Sequence, residues 1–332
     1  MKVKVAAVQP IGNYGQDEYR NMEMALEYVD IAVTQGAQLI CFPEGYPGPY
    51  SGPLDSGGKL AETPIESLCK KAKEKGVYIY AGDVEETGIM EDTYYLCHKL
   101  ISPDGKILVN YKRSHPLHPL LNDLFLGGKT HVLPGDELPV VDTEIGKLGL
   151  CICSEIWAPE VPRILTLKGA QIILAPGGGA PGPIRSRLRE TWHCIARARA
   201  IENCTYVVMN QIYHPNSGIG RTAIFGPEFP LGTLTTAGVL VSEFNLSRID
   251  EIRNRYFDGE MLSEPTSEKD LFFNRPGQVY ERRPELYGML SEPTELAFDY
   301  KYYEKDLDSY KKEYERVKSF NFWKGDTKGE VK

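Results

Sequence analysis

Leu148-Gly-Leu-Cys-Ile-Cys-Ser-Glu-Ile-Trp-Ala-Pro-Glu160 changes character halfway along. Its first half alternates apolar side chains as a buried strand does, and residues 154–160 then supply a hydroxyl, two acids and a proline, the signals of a helix start. A cysteine at such a strand-to-helix turn meets N–H groups that have no intrahelical acceptor, and these favour thiolate over thiol. Cys153 is therefore the candidate nucleophile. Cys151, two residues back on the same strand face but deeper, is expected to pack as a small hydrophobe. Free cysteine is among the most buried residue types, so core packing is the bland reading of both, and the rest of the chain has to decide.

Two further strands deliver charge at their ends. In Gln38-Leu-Ile-Cys-Phe-Pro-Glu-Gly-Tyr-Pro-Gly48 a buried strand ends at Glu44, and Tyr111-Lys-Arg-Ser-His115 follows the strand residues Ile107-Leu-Val109. Together with the segment around Cys153, these are similar to the three signature segments of the nitrilase superfamily, carbon–nitrogen hydrolases that use a Glu-Lys-Cys triad. Val3-Lys-Val-Ala-Ala-Val-Gln9, Arg199-Ala-Ile-Glu-Asn203 with Asn210 beyond it, and residues 220–226 extend the resemblance over about residues 1–250, in the expected order. It implies an α/β fold, the four-layer α-β-β-α sandwich of that superfamily, with Glu44 as general base and Cys153 as nucleophile.

The third member of the triad does not carry over directly. The family pattern is Tyr-Arg-Lys-x-His with the second basic residue catalytic, and here the pair is inverted to Lys112-Arg113. Side chains alternate along an extended segment, so regular register places Arg113 in the lysine position and Lys112 on the opposite face; a bulge would turn Lys112 inward instead. The loop at residues 116–135 also lacks the glutamate that many members carry, Asp123 being its one acid.

What the resemblance implies chemically is attack by Cys153 on a carbonyl, with Glu44 moving every proton. A cation and the backbone N–H after Cys153 would hold the oxyanion. Arginine can supply the charge but not a proton, because its pKa lies above about 12. Nitrilases proper usually have Trp-Glu after the nucleophile, and the Ser154-Glu155 found here favours a small amide or N-carbamoyl substrate over a nitrile. Tyr46 and Trp157 are candidate substrate-binding residues, with structural packing as the competing role. The competing functional class is a non-catalytic homologue that binds a small molecule or a protein partner in the same cavity.

Composition bounds these readings. With 332 residues the chain can bury a large core, and a net charge of −8 argues against a nucleic-acid surface. No apolar run approaches the ~20 residues that span a bilayer. Seven cysteines, an odd number scattered through core-like segments, suit reduced thiols in a cytoplasmic protein. No cofactor or metal is expected. His115 and His118 are flanked by prolines that forbid a regular helix, and no third ligand is evident. Residues 177–182 lack the lysine-hydroxyl pair of a phosphate loop, and Arg185, Arg187 and Arg189 read as solvated or at a subunit contact.

Patterning predicts helices over residues 17–35, 64–75, 160–168 and 186–203, and strands over 3–8, 38–42, 77–82, 93–101, 106–111, 138–142, 147–153, 171–175, 205–210, 222–225 and 239–244. Residues 1–260 are expected to form one carbon–nitrogen hydrolase domain. Residues 261–332, where aromatics interleave with charge, are expected to be an extension at the interface of a homodimer or larger homo-oligomer.

Overall fold

The computed structural model describes residues 1–48, 62–89, 93–116, 131–178, 189–215, 220–254 and 282–292. Strand β1, Lys2–Gln9, sets the plan of the molecule. Its odd residues Val3, Val5 and Ala7 join one buried cluster while Ala6 and Val8 join another, so both faces of this strand are covered. Strands β2 (Leu39–Cys41), β3 (Tyr78–Glu86), β4 (Thr93–Ile101), β5 (Ile107–Lys112) and β6 (His131–Val132) follow in this half of the chain. The second half contributes β7 (Val140–Thr143), β8 (Gly146–Leu150), β9 (Ile172–Leu174), β10 (Tyr206–Met209), β11 (Ala223–Phe225), β12 (Pro230–Thr233) and β13 (Gly238–Asn245).

Among the described residues these strands form two sheets. The seven-stranded sheet runs β13-β1-β2-β3-β4-β5 with β6 paired to β4, and the six-stranded sheet runs β12-β11-β10-β9-β8-β7. β1, β2 and β3 are mutually parallel, as are β8, β9 and β10. In such sheets the carboxyl ends of the parallel strands are where ligands bind.

The sheets pack face to face through Val5, Leu39, Tyr80 and Leu100 on one side and Leu148, Leu150, Ile172 and Val208 on the other. Helices α1 (Arg20–Thr34) and α2 (Pro64–Lys75) cover the outer face of the first sheet. Helices α3 (Glu160–Leu167) and α4 (Arg189–Glu202) cover the second. The result is the expected α-β-β-α layering. Each buried aliphatic side chain in these layers contributes roughly 1.5–3 kcal/mol. A last helix, α5 (Leu246–Asn254), follows β13 and inserts Leu246 and Ile249 between the sheets.

Local chemistry explains the best-matched boundaries. In α2 the Thr63 hydroxyl accepts from Glu66 N while the Glu66 carboxylate accepts from Thr63 N, Pro64 opens the first turn, and Gly76 closes the last at φ 65°. Other boundaries moved. α1 begins at Arg20, because residues 15–17 form a separate 3-10 turn. β8 ends at Leu150, three residues short of the predicted strand end. β6, β12 and α5 were absent from the sequence reading: their segments are short or polar, and the strands become regular by pairing with β4 and β11 while α5 does so by burying Leu246 and Ile249. Of the proposed extension only residues 282–292 are described; they make two exposed 3-10 turns, Pro284–Leu286 and Gly288–Ser291. No described helix is long and apolar enough to cross a membrane.

Candidate active site

Glu44 stands three residues beyond β2, in a turn that passes against β3. Gly45 takes a left-handed φ of 68°, and a Cβ on Gly82 of β3 would lie 2.7 Å from Gly45 Cα and 2.8 Å from Tyr46 N. Glycine at position 82 is thus what lets the turn sit on the sheet edge. The Glu44 carboxylate faces the second sheet. Its Oε2 accepts from Gly178 N at 3.0 Å, just past the end of β9, and its Oε1 accepts from Arg113 Nη1 at 2.8 Å.

Arg113 comes from the end of β5, where the alternation is regular. The ladder pairs Cys97 with Lys112 and His98 with Tyr111, and the one register shift lies earlier, at Leu100/Ile101. Tyr111 and Arg113 therefore face the second sheet, while Lys112 faces away with its Nζ 4.1 Å from the centre of the Tyr95 ring. The structure brings Arg113, and not Lys112, to Glu44. Arg113 is 1% exposed and uses all three nitrogens: Nε donates to His115 O at 2.9 Å, Nη1 to Glu44, and Nη2 to Ser154 Oγ at 2.5 Å. Burial works against its charge, but Glu44, Cys153 and Glu155 more than offset this and hold the guanidinium above its ordinary pKa.

Cys153 completes the group. It opens a five-residue 3-10 turn, Cys153–Trp157, and its own φ is 55°, in the left-handed region that L residues other than Asn and Asp seldom occupy. Its N–H donates to Pro176 O at 2.6 Å, and its thiol lies where the charges of both Glu44 and Arg113 act on it. The expectation that helix N–H groups would favour the thiolate is corrected here. The turn is too short and too tight to act as a helix dipole, and α3 starts only at Glu160. Burial, and then the negative charge of Glu44, raise the thiol to about 12 despite Arg113. The resting site sets a protonated Cys153 beside the charge of Glu44. Cys151 is fully buried among Ile156, Leu165 and Ala196, a small apolar residue in the helix-side cluster.

Two residues to which the sequence reading gave no positioning role hold this arrangement together. Glu155 is buried and gathers five hydrogen bonds. Oε1 accepts from Ser114 N (2.7 Å), Ser114 Oγ (2.7 Å) and His115 N (2.9 Å), and Oε2 from Ile152 N (2.6 Å) and Tyr111 Oη (2.7 Å). It clamps the end of β5 to the Cys153 turn. Burial opposes its ionisation, but His115, Arg113, Ser114 and Tyr111 together hold the carboxyl below its ordinary pKa. Asn210, at the end of β10, donates from its side-chain amide to Val8 O at 3.2 Å and Cys41 O at 2.8 Å, while its backbone carbonyl accepts from Gly177 N at 2.7 Å. One residue thereby spaces the strand ends that carry Glu44 and Gly178. A signal existed for Glu155, an acid five residues after the last residue of β8; for Asn210 there was only its place in the motif.

The two substrate-binding candidates lie elsewhere. Tyr46 is 1% exposed in the cluster beneath α1 and α2, stacked on Phe42 with ring centres 5.7 Å apart; the Gly45 turn points it away from the Glu44 carboxylate and into the core. Trp157 is 39% exposed and meets Trp192 of α4 edge-on at 5.2 Å, while its carbonyl accepts from Arg199. His115 Nδ1 lies 2.8 Å from Ser114 Oγ. Asp123, His118, Arg185 and Arg187 fall outside the described residues, as does the side chain of Arg189. Among the described residues no group of three His, Cys, Asp or Glu is placed to hold a metal ion.

Comparison with known proteins places the whole fold in one family. The carbon–nitrogen hydrolase family model matches residues 4–254. Omega-amidase NIT2-A of Xenopus laevis is 30% identical over 251 residues, covering 71% of this chain and 86% of that protein. Human deaminated glutathione amidase is 26% identical over 306 residues, covering 83% and 82%. Among solved structures, a carbon–nitrogen hydrolase from Helicobacter pylori covers 88% of this chain and 99% of its own at 20% identity with a TM-score of 0.68. Saccharomyces cerevisiae Nit3, a member of branch 10 of the nitrilase superfamily, covers 81% and 96% at 21% identity with a TM-score of 0.63.

Proposed function

The chain belongs to the carbon–nitrogen hydrolase family and is an amidase-like hydrolase, and from that premise we propose that it cleaves a small amide or N-carbamoyl compound through a thioester on Cys153. The observation that carries this reading is the convergence of three groups from separate segments: Arg113 bonds Glu44 Oε1 at 2.8 Å and Ser154, the neighbour of Cys153, at 2.5 Å, and the Cys153 thiol feels the charges of both Glu44 and Arg113.

In the first step Glu44 takes the thiol proton as Sγ bonds to the substrate carbonyl carbon and the carbonyl electrons move onto oxygen. Negative charge passes from the carboxylate to the oxyanion while the Arg113 cation stays between them, so the buried site keeps its charge balance throughout. The Ser154 N–H, which no hydrogen bond among the described residues uses, is the second oxyanion donor. Collapse breaks the C–N bond, and the amine leaves with the proton held on Glu44. Water then adds to the thioester, giving a proton to Glu44; the C–S bond breaks and the sulfur recovers that proton. A thiol at about 12 needs such a partner, because little thiolate forms unaided near neutral pH. Arg113 serves as a fixed charge, and Lys112, outside the pocket, has no part. Amidase names among the relatives favour an amide over a nitrile.

Ammonia release from a panel of primary amides and N-carbamoyl compounds tests the assignment. Cys153→Ala is expected to abolish release and Cys151→Ala to retain most of it. Arg113→Ala should lose about 10²–10³-fold in turnover, the usual cost of an oxyanion donor, and Lys112→Ala far less. Equal loss from both cysteines, or an acid-quenched enzyme that never shows an acyl mass on the Cys153 peptide, would refute it. A homodimer or larger assembly belongs to the same proposal, with residues 261–332 at the contact; a monomer in sedimentation at micromolar concentration would exclude it.

A further inference from the structure

We propose that the Ser154 hydroxyl is the positioning group for the Arg113 guanidinium. This rests on the reading of Glu44, Arg113 and Cys153 above, and assigns a side chain that the reading leaves unused. A guanidinium is a planar fork, so its orientation is fixed once acceptors sit on two of its edges. The Nε–H is held by His115 O on Arg113's own segment, which leaves the Nη edge to be aimed by Glu44 Oε1 at 2.8 Å and Ser154 Oγ at 2.5 Å.

Those two acceptors differ in what happens to them during turnover. Glu44 is protonated when the thiol is deprotonated, and its charge-assisted bond to Nη1 weakens at the moment when the oxyanion needs the cation. The Ser154 hydroxyl carries no charge at any step, so its bond to Nη2 persists. Because Ser154 adjoins Cys153 in the chain, that bond also ties the cation to the nucleophile's own turn rather than to the facing sheet. An ammonium in place of the fork can still donate to Ser154 but has no plane to be aimed, so the orienting role of the hydroxyl applies only while residue 113 is arginine.

The alternative role is simple satisfaction of a buried donor, which would lower stability when lost but leave the chemistry alone. A double-mutant cycle separates the two. Ser154→Ala is expected to lower kcat about 10- to 100-fold with KM changed less than about threefold, and Ser154→Thr, which keeps the hydroxyl, to recover most of the loss. In the Arg113→Lys background the same Ser154→Ala change should cost less than about twofold. A second readout needs no substrate. The rate of iodoacetamide alkylation at Cys153, followed on its own peptide at mildly alkaline pH, should fall about threefold or more in Ser154→Ala and recover in Ser154→Thr, because a displaced guanidinium favours the thiolate less.

An equal loss of kcat in the Arg113 and Arg113→Lys backgrounds, or an alkylation rate untouched by Ser154→Ala, overturns the proposal. If turnover survives Cys153→Ala, or no amide is turned over at all, the failure lies with the catalytic reading, and the alkylation rates alone decide the role of Ser154.

Discussion

The chain reverses after β2 and again just after β8, and it uses opposite means. After β2 the reversal falls on Gly45 at φ 68°, with Gly82 of β3 leaving room beside it, and Glu44 itself needs no unusual backbone. Just after β8 the reversal falls on Cys153 itself, at φ 55°, so the residue that the chemistry needs is also the residue under strain. The first turn is relaxed because glycine is indifferent to the sign of φ. The second is held in place by the five hydrogen bonds of Glu155 and by the bond from Cys153 N to Pro176 O. A strained nucleophile projects its sulfur out of the strand, and that geometry lasts only where the surroundings over-determine it.

Removing the clamp should have the largest effect. Glu155→Ala leaves the N–H groups of Ile152, Ser114 and His115 without their buried acceptor and is expected to cost about 3–5 kcal/mol in urea denaturation. A loss under about 1 kcal/mol would mean that the strands alone hold the Cys153 turn. The matching lesion on the relaxed side is Gly82→Ala, whose Cβ must displace the Glu44 turn. It is expected to lower turnover about 10²-fold with a smaller loss of stability, since a shift on the order of 1 Å at a catalytic group costs about that much. Unchanged turnover would show that the Glu44 turn has room to spare.

The third test exploits what lies beneath the Glu44 turn. His98 is fully buried against Tyr80, ring centres 4.4 Å apart; burial holds its pKa down to about 3, with the Pro43 carbonyl opposing and Lys99 adding to the effect. The unfolded chain binds this proton from about pH 6.5 downward and the folded chain does not. Stability is therefore lost at about 1.4 kcal/mol per unit as pH falls through 6.5 toward 3. His98→Phe should remove that part of the slope and gain about 2 kcal/mol at pH 5. An acid-unfolding profile identical to that of the parent protein would show that the imidazole is protonated in the fold.

The smallest effect concerns the strain itself. Cys153→Gly and Cys153→Ala are both expected to be inactive, but the glycine variant should be the more stable by about 1 kcal/mol, the reverse of the usual order, because only glycine relieves the left-handed φ. Calorimetry that ranks alanine above glycine would mean that the turn is not strained.

Much of this was legible in the residues. The apolar runs of β1 and β4, the Pro64 start and the Gly76 stop all act within a few residues, and the elements they predict are present within a residue or so. The inward face of Arg113 was legible too, because side-chain direction in a regular strand follows from parity alone. The environments were less so. The Cys153 thiol is raised rather than lowered, since local sequence specifies a turn but not the burial and opposing carboxylate that surround it. Tyr46 is core rather than pocket, since a φ of 68° at Gly45 decides which way the next side chain points.

By itself the sequence, through its resemblance to the nitrilase superfamily, implied the layer order and the segments that carry Glu44, Arg113 and Cys153, and strand parity favoured Arg113 over Lys112 as the inward residue, because side-chain direction has a period of two that any short strand expresses. Only the tertiary structure decided that Glu155 binds two segments into one site, that Asn210 spaces the sheets, and that Ser154 meets Arg113. Those contacts join residues from 41 to 169 positions apart or depend on bond geometry within a single turn, and a contact between distant segments is set by the packing of whole sheets, which no local pattern encodes.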